Sequence, residues 1–220
     1  MTMTAQATTS QKRPFLRRIL QAFVDIRELT LIVLIAVIII VMANINPYFF
    51  SFSNFRAVAV GMAPTAIIVI GMAILLASGG FDLSVGSVMA LSSTVVAMLL
   101  LSGMPIPLAI FCGLILGAVI GVVNGVLVTS LGINPLIATL GTMSIARGIA
   151  LVLTEGFSVS SLPASFAWIG KANVSGFPVM VLMVILLVIA FDLAVRHTRF
   201  FRQVYFIGAN EKAAVLSGIH

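Results

Sequence analysis

A chain of 220 residues that is 61% hydrophobic and 8% charged is not an ordinary soluble domain, whose surface needs roughly three times that share of charge. Its net charge of +6 is gathered near the two ends, so it reports membrane topology and calls for no nucleic-acid partner. The lone cysteine, Cys112, falls inside an apolar stretch, which leaves disulfide and thiolate-metal readings without support; no metal site is expected.

The first element, residues 1–28, is a polar tail carrying Lys12, Arg13, Arg17, Arg18 and Arg27. It lacks the early apolar core and small-residue cleavage site of a signal peptide. Phe15, Ile19, Ala22, Phe23 and Ile26 share one helical face, so the tail reads either as an amphipathic surface helix or as a basic segment that only sets orientation.

Residues 29–195 read as a transmembrane domain. Because a span needs about 20 apolar residues, about six helices can be cut from it. The first covers 29–45 and is closed by Asn46-Pro47; the second covers 57–77 and the third 84–101. A turn through Gly103, Pro105 and Pro107 leads to a fourth span ending near Thr129. Gly132 to Pro135 turns the chain into a fifth, ending near Thr154; residues 155–176 form a longer loop, and the sixth span covers 177–195. The fold class is therefore all-α, a polytopic helical membrane protein. Residues 196–220 form a closing segment with Arg196, Arg199, Arg202 and Lys212. Both basic ends belong on the cytoplasmic side, which an even number of crossings satisfies.

Four features stand out within this frame. Gly113, Gly117, Gly121 and Gly125 recur every four residues along one face of the fourth span, a groove that lets a neighbouring helix approach closely in lipid. Asn124 lies beside that ladder at the cytoplasmic end. The stretch from Ser78 to Ser87 interrupts the apolar run with two glycines, while Asp82 and Ser84 can cap the third helix. It reads equally as a cytoplasmic turn and as an unwound backbone that lines a polar path. Arg147 lies about 18 Å along the fifth helix from Pro135, and an intramembrane charge marks a functional site unless it snorkels outward, where Glu155 can meet it.

The fourth feature is the stretch Gly208 to Ile219. Asn210 can cap a short helix, Glu211 suits its first turn, and Gly218 can stop it in the left-handed conformation. So short a helix needs a surface to dock on; it is either a surface turn or a docking element for a soluble partner. Enzyme signatures are missing: there is no P-loop and no G-x-S-x-G, and His197 and His220 lie beyond the spans. The chain is not expected to be an enzyme, and if ATP drives it, another chain binds the ATP.

Four motifs resemble those of the permease subunit of bacterial ABC sugar importers of the ribose, xylose and galactoside type. Gly79-Gly-Phe-Asp-Leu-Ser-Val-Gly-Ser87 resembles the family's G-G-I-D-L-S-V-G-S, with Phe81 for Ile. Val123-Asn124-Gly125 resembles I-N-G, and Ile133 to Thr142 resembles I-x-P-F-I-A-T-L-G-T, with Leu136 for Phe. Gly208 to Ile219 resembles the cytoplasmic coupling loop G-G-N-x-x-A-A-x-x-S-G-I, with Ala209 for the second Gly.

The resemblance implies an inner-membrane protein with a cytoplasmic N-terminus, working as one of two permease copies or close paralogues. A periplasmic sugar-binding protein would deliver a monosaccharide, and a cytoplasmic ABC ATPase would bind the ATP and drive transport; the chain itself needs no cofactor. It implies that Gly208, Asn210, Glu211, Ala213, Ala214, Leu216, Ser217 and Gly218 couple to that ATPase. Asp82, Ser84, Asn124, Asn134, Thr139 and Arg147 are then candidates for the translocation path or its supports. The alternatives are an ATP-independent channel or carrier and a fragment that does not transport. Family members carry about ten helices, so a chain stopping at His220 is expected to be truncated, since missing helices would leave polar faces bare to lipid.

Overall fold

The computed structural model describes residues 27–219, which are helical apart from their turns, loops and one small hairpin. The surface helix expected around Phe15 to Ile26 lies outside the described residues. The chain divides between Phe55 and Arg56 into two units.

The first unit holds α1 (Arg27–Ile45) and the turn that follows it. Its large apolar side chains from Leu31 to Ile45 find no packing partners within this unit and stand exposed. Asn46 closes it: its Oδ1 accepts the Tyr48 N–H at 2.9 Å, and Asn54 Nδ2 donates to the Phe49 carbonyl at 2.8 Å. The Phe49 and Phe50 rings meet edge to face at 5.1 Å.

The second unit takes in most of α2 (Phe52–Ala77), then α3 (Val85–Leu101), α4 (Ile106–Thr129) and α5 (Pro135–Leu153). There follow α6 (Ala164–Lys171), a hairpin of β1 (Asn173–Val174) and β2 (Phe177–Pro178), α7 (Val179–His197), α8 (Arg199–Ala209) and α9 (Glu211–Leu216). Helices α2, α4, α5 and α7 are long and apolar enough to cross a membrane; residues Leu29–Ile45 of α1, and α3, are apolar but shorter. The six apolar stretches of the sequence thus form helices, except that the sixth starts only at Val179, because Phe177 and Pro178 belong to the hairpin. Helix α2 begins earlier than residue 57, because Arg56 does not break it: the guanidinium donates to Asn173 Oδ1 of the hairpin.

The stretch 155–176, expected as a loop, has more structure than that. Pro163, with φ −53°, starts α6, and Ser175 and Gly176, with φ of 50° and 88°, make the two-residue turn that a tight hairpin demands.

Helices α3, α4 and α5 pack on one another around Leu91, Ala146 and Ala150, with Val88, Val95, Leu116 and Ile120 against them. Among the described residues of helices α2 to α5, the buried aliphatic side chains other than Leu91 and Leu100 are alanines, which favour close helix approach in lipid. The glycine ladder serves this packing unevenly. A methyl on Gly113 would overlap Val96 of α3, and one on Gly117 would touch Ser92 Oγ at 3.7 Å. Gly121 and Gly125 have nothing within 4 Å of where a β-carbon would stand, so the lower half of the ladder meets no helix among the described residues.

Candidate functional site

The site begins where α2 ends. Gly79, at φ +87°, adopts the left-handed conformation; its N–H reaches the Leu76 carbonyl and the Gly80 N–H reaches that of Leu75, both at 3.0 Å. This glycine cap satisfies the last carbonyls of the helix and releases the chain into a non-helical stretch, Phe81 to Leu83.

Asp82 then gathers donors. Its Oδ1 accepts both the backbone N–H and the hydroxyl of Ser84 at 2.6 Å, and its Oδ2 accepts from Asn124 Nδ2 of α4 at 3.2 Å. Asn124 Nδ2 also donates to Ser84 Oγ at 3.0 Å, and Thr142 of α5 donates to Asn124 Oδ1 at 2.6 Å. Ser84 is fully buried and Asn124 is 5% exposed. The unwound link and two helices are thereby tied by four side chains. Ser84 stands at the N-cap of α3, but its side chain makes no capping bond; its hydroxyl is spent on Asp82, whose carboxylate satisfies the Ser84 N–H instead. The carboxylate also stands at the positive end of the α3 dipole, and no cation pairs with it among the described residues.

The other expected path residues fall elsewhere. Asn134 caps α5, its side chain accepting the Leu136 N–H at 2.9 Å. Thr139 is 2% exposed and returns its hydroxyl to the Pro135 carbonyl at 2.7 Å. Neither joins the Asp82 cluster by a side-chain bond. Thr142 does join it, although the sequence reading gave it no role. The available signal was its place three residues after Thr139, on the same helical face.

Arg147 lines a separate open cavity of about 370 Å³ between α3 and α5, with Ser93, Thr94, Thr154 and Ser158 around it. Among the described residues the ion pair present joins Asp192 and Arg196 at 2.8 Å, and Glu155 does not reach Arg147. The cavity therefore holds one guanidinium and several hydroxyls, of which those of Ser93 and Thr154 donate to backbone carbonyls.

Helix α9 is built as its residues suggest. Asn210 Oδ1 accepts the Ala213 N–H at 3.0 Å, Glu211 stands in the first turn, and Gly218 at φ +77° ends the helix. The Ile219 N–H returns to the Ala214 carbonyl and the Gly218 N–H to that of Val215, both at 3.0 Å, the same cap that ends α2. The two faces differ sharply: Ala214 is 4% exposed and Leu216 is 89% exposed. Ser217 returns its hydroxyl to the Ala213 carbonyl at 2.9 Å. Gly208, just before α9, lies against the end of α2, where a methyl on it would overlap the Ala77 carbonyl oxygen. The sequence reading did not separate α8, although its Arg199, Arg202 and Gln203 stand opposite Phe200, Phe201 and Val204.

Residues 54–220 match the family model described as branched-chain amino acid transport system, permease component. The ribose import permease protein of Bacillus subtilis (strain 168) is 36% identical over 218 residues, which cover 98% of this chain and 66% of that protein. The D-allose transport system permease protein of Escherichia coli (strain K12) is 34% identical over 188 residues, covering 84% of this chain and 58% of that one. The L-arabinose transport system permease protein of the same strain is 36% identical over 189 residues, covering 86% and 58%. The chain spans from 58% to 66% of the length of these relatives. No solved structure matches it. The chain belongs to this permease family, as an all-α multi-pass membrane protein.

Proposed function

We propose that this permease-family chain is the membrane-spanning part of an ATP-driven importer that carries a ribose-like monosaccharide across the bacterial inner membrane. The observation that carries this reading is its similarity, along nearly the whole chain, to a permease named for ribose import. The polar inventory supports it. An uncharged sugar needs several weak contacts and no buried ion pair, and the hydroxyls around Arg147 provide such contacts.

In this reading the polar residues divide by role. Asp82, Ser84 and Asn124, with Thr142, spend their bonding capacity on one another and act as the support that holds the link between α2 and α3. Asn134 and Thr139 fix the start of α5. Arg147 faces the path. The coupling surface is formed by Asn210, Glu211, Ala213, Leu216, Ser217 and Gly218, with Ala214 and Gly208 turned toward the chain itself. ATP is held by a cytoplasmic ABC ATPase, a periplasmic binding protein delivers the sugar, and a second permease copy completes the path. The N-terminus is cytoplasmic.

The test is co-purification from membranes with the ATPase encoded beside this protein, comparing wild type with Leu216→Glu. The wild type retains the ATPase, and the variant, with a charge on the most exposed face of α9, releases it while staying folded. A wild type that retains no ATPase overturns the importer reading.

A further inference from the structure

We propose that the groove between α2 and α7 is a phospholipid site, in which one acyl chain lies along the helices and an anionic headgroup meets the arginines of α8. The groove has a volume of about 530 Å³ and is lined by Met62, Val69 and Ile74 of α2, Val188 and Phe191 of α7, and Tyr205 of α8. From Met62 to Ile74 it follows α2 for about 18 Å, close to the ~15 Å depth of one leaflet.

The end of the groove at α8 is chemically different from the rest. Tyr205 stands there, and Arg202 and Arg199 precede it by one and two turns along the same stripe of α8. Both arginines are exposed, and neither has a carboxylate partner among the described residues, since Asp192 is engaged by Arg196. The Phe201 ring meets Phe191 of α7 edge to face at 5.4 Å, which fixes α8 beside the groove. A short amphipathic helix that directly follows a span, with arginines on one side and Phe200 exposed on the other, lies in the interface where headgroups are. Apolar length below and positive charge at the headgroup level together fit an anionic phospholipid. This assignment is independent of the transported solute.

The experiment uses the full-length protein in nanodiscs of phosphatidylglycerol mixed with phosphatidylcholine, with bound lipid read by native mass spectrometry after transfer to mild detergent. Wild type retains one phosphatidylglycerol per chain in preference to phosphatidylcholine. Arg199→Gln with Arg202→Gln lowers that preference roughly 25-fold, at about fivefold per arginine. Ala73→Trp, which fills the groove, abolishes retention of either lipid while the melting temperature stays at the wild-type value. Equal retention of the two lipids by wild type, or unchanged retention in both variants, overturns the assignment. So does crosslinking of a photoreactive group at residue 69 to protein in place of lipid. ATPase co-purification, followed on the same samples, reports separately on the transport reading.

Discussion

Where Asp82, Ser84, Asn124 and Thr142 meet, the side chains satisfy one another inside the protein, whereas from Arg199 to Leu216 charged and apolar side chains stand open on the surface. The two regions adjoin through Gly208, which touches the end of α2 just before the polar junction begins. Buried polar groups in low dielectric are costly unless paired, so the junction holds one arrangement and resists change. The open segment has few such constraints, and its exposed Leu216 and arginines are suited to binding something else. One region fixes geometry, and the other presents contacts.

The sharpest way to break this contrast is to empty the junction. Asp82→Ala leaves the Ser84 N–H and hydroxyl and one Asn124 donor without their acceptor; it should cost about 3 kcal/mol or more, read as a fall in melting temperature in detergent. Asp82→Asn keeps an acceptor for the Ser84 N–H and should lose less. Gly208→Val probes the contact between the regions. Its side chain would meet backbone at Ala77, where nothing yields by changing rotamer, so an overpacking loss of about 1–3 kcal/mol is expected in the same assay.

Within the open region the effects should shrink. Asn210→Ala removes the cap on α9 and should cost about 1 kcal/mol, seen as faster amide exchange at Ala213 with the melting temperature nearly unmoved. Gly121→Ala and Gly125→Ala face open space and should shift stability by no more than about 0.5 kcal/mol, while Gly113→Ala, pressed against Val96, should be clearly destabilising. If Gly125→Ala is as damaging as Gly113→Ala, the lower ladder packs against a helix beyond residues 27–219.

Much of this architecture was legible because charges and helix breakers are sparse. Asn46, the Gly79-Gly80 pair, Pro105 and Pro135 mark the helix ends closely, and the cap at Asn210 and stop at Gly218 follow from residue chemistry alone. Thr142 was not legible as part of the junction, because its bond to Asn124 depends on how α4 and α5 settle against each other across 18 residues of sequence. The separate roles of Asp82 and Ser84 were hidden for a related reason. Both residue types can cap a helix, and only the position of Asn124 shows that Ser84 turns toward Asp82. The uneven use of the glycine ladder depends on the course of α3, which spacing on α4 does not encode.

The junction also bears on how the chain is made. Asp82 finds Ser84 two residues away, as soon as that turn is synthesised, but its third donor, Asn124, lies 42 residues downstream, and Thr142 follows 18 residues later still. Until α4 has emerged from the ribosome, the carboxylate depends on water and on its own turn for solvation. The turn at Asp82 can thus form from neighbouring residues alone, whereas the full junction needs α4 and α5 to have been made.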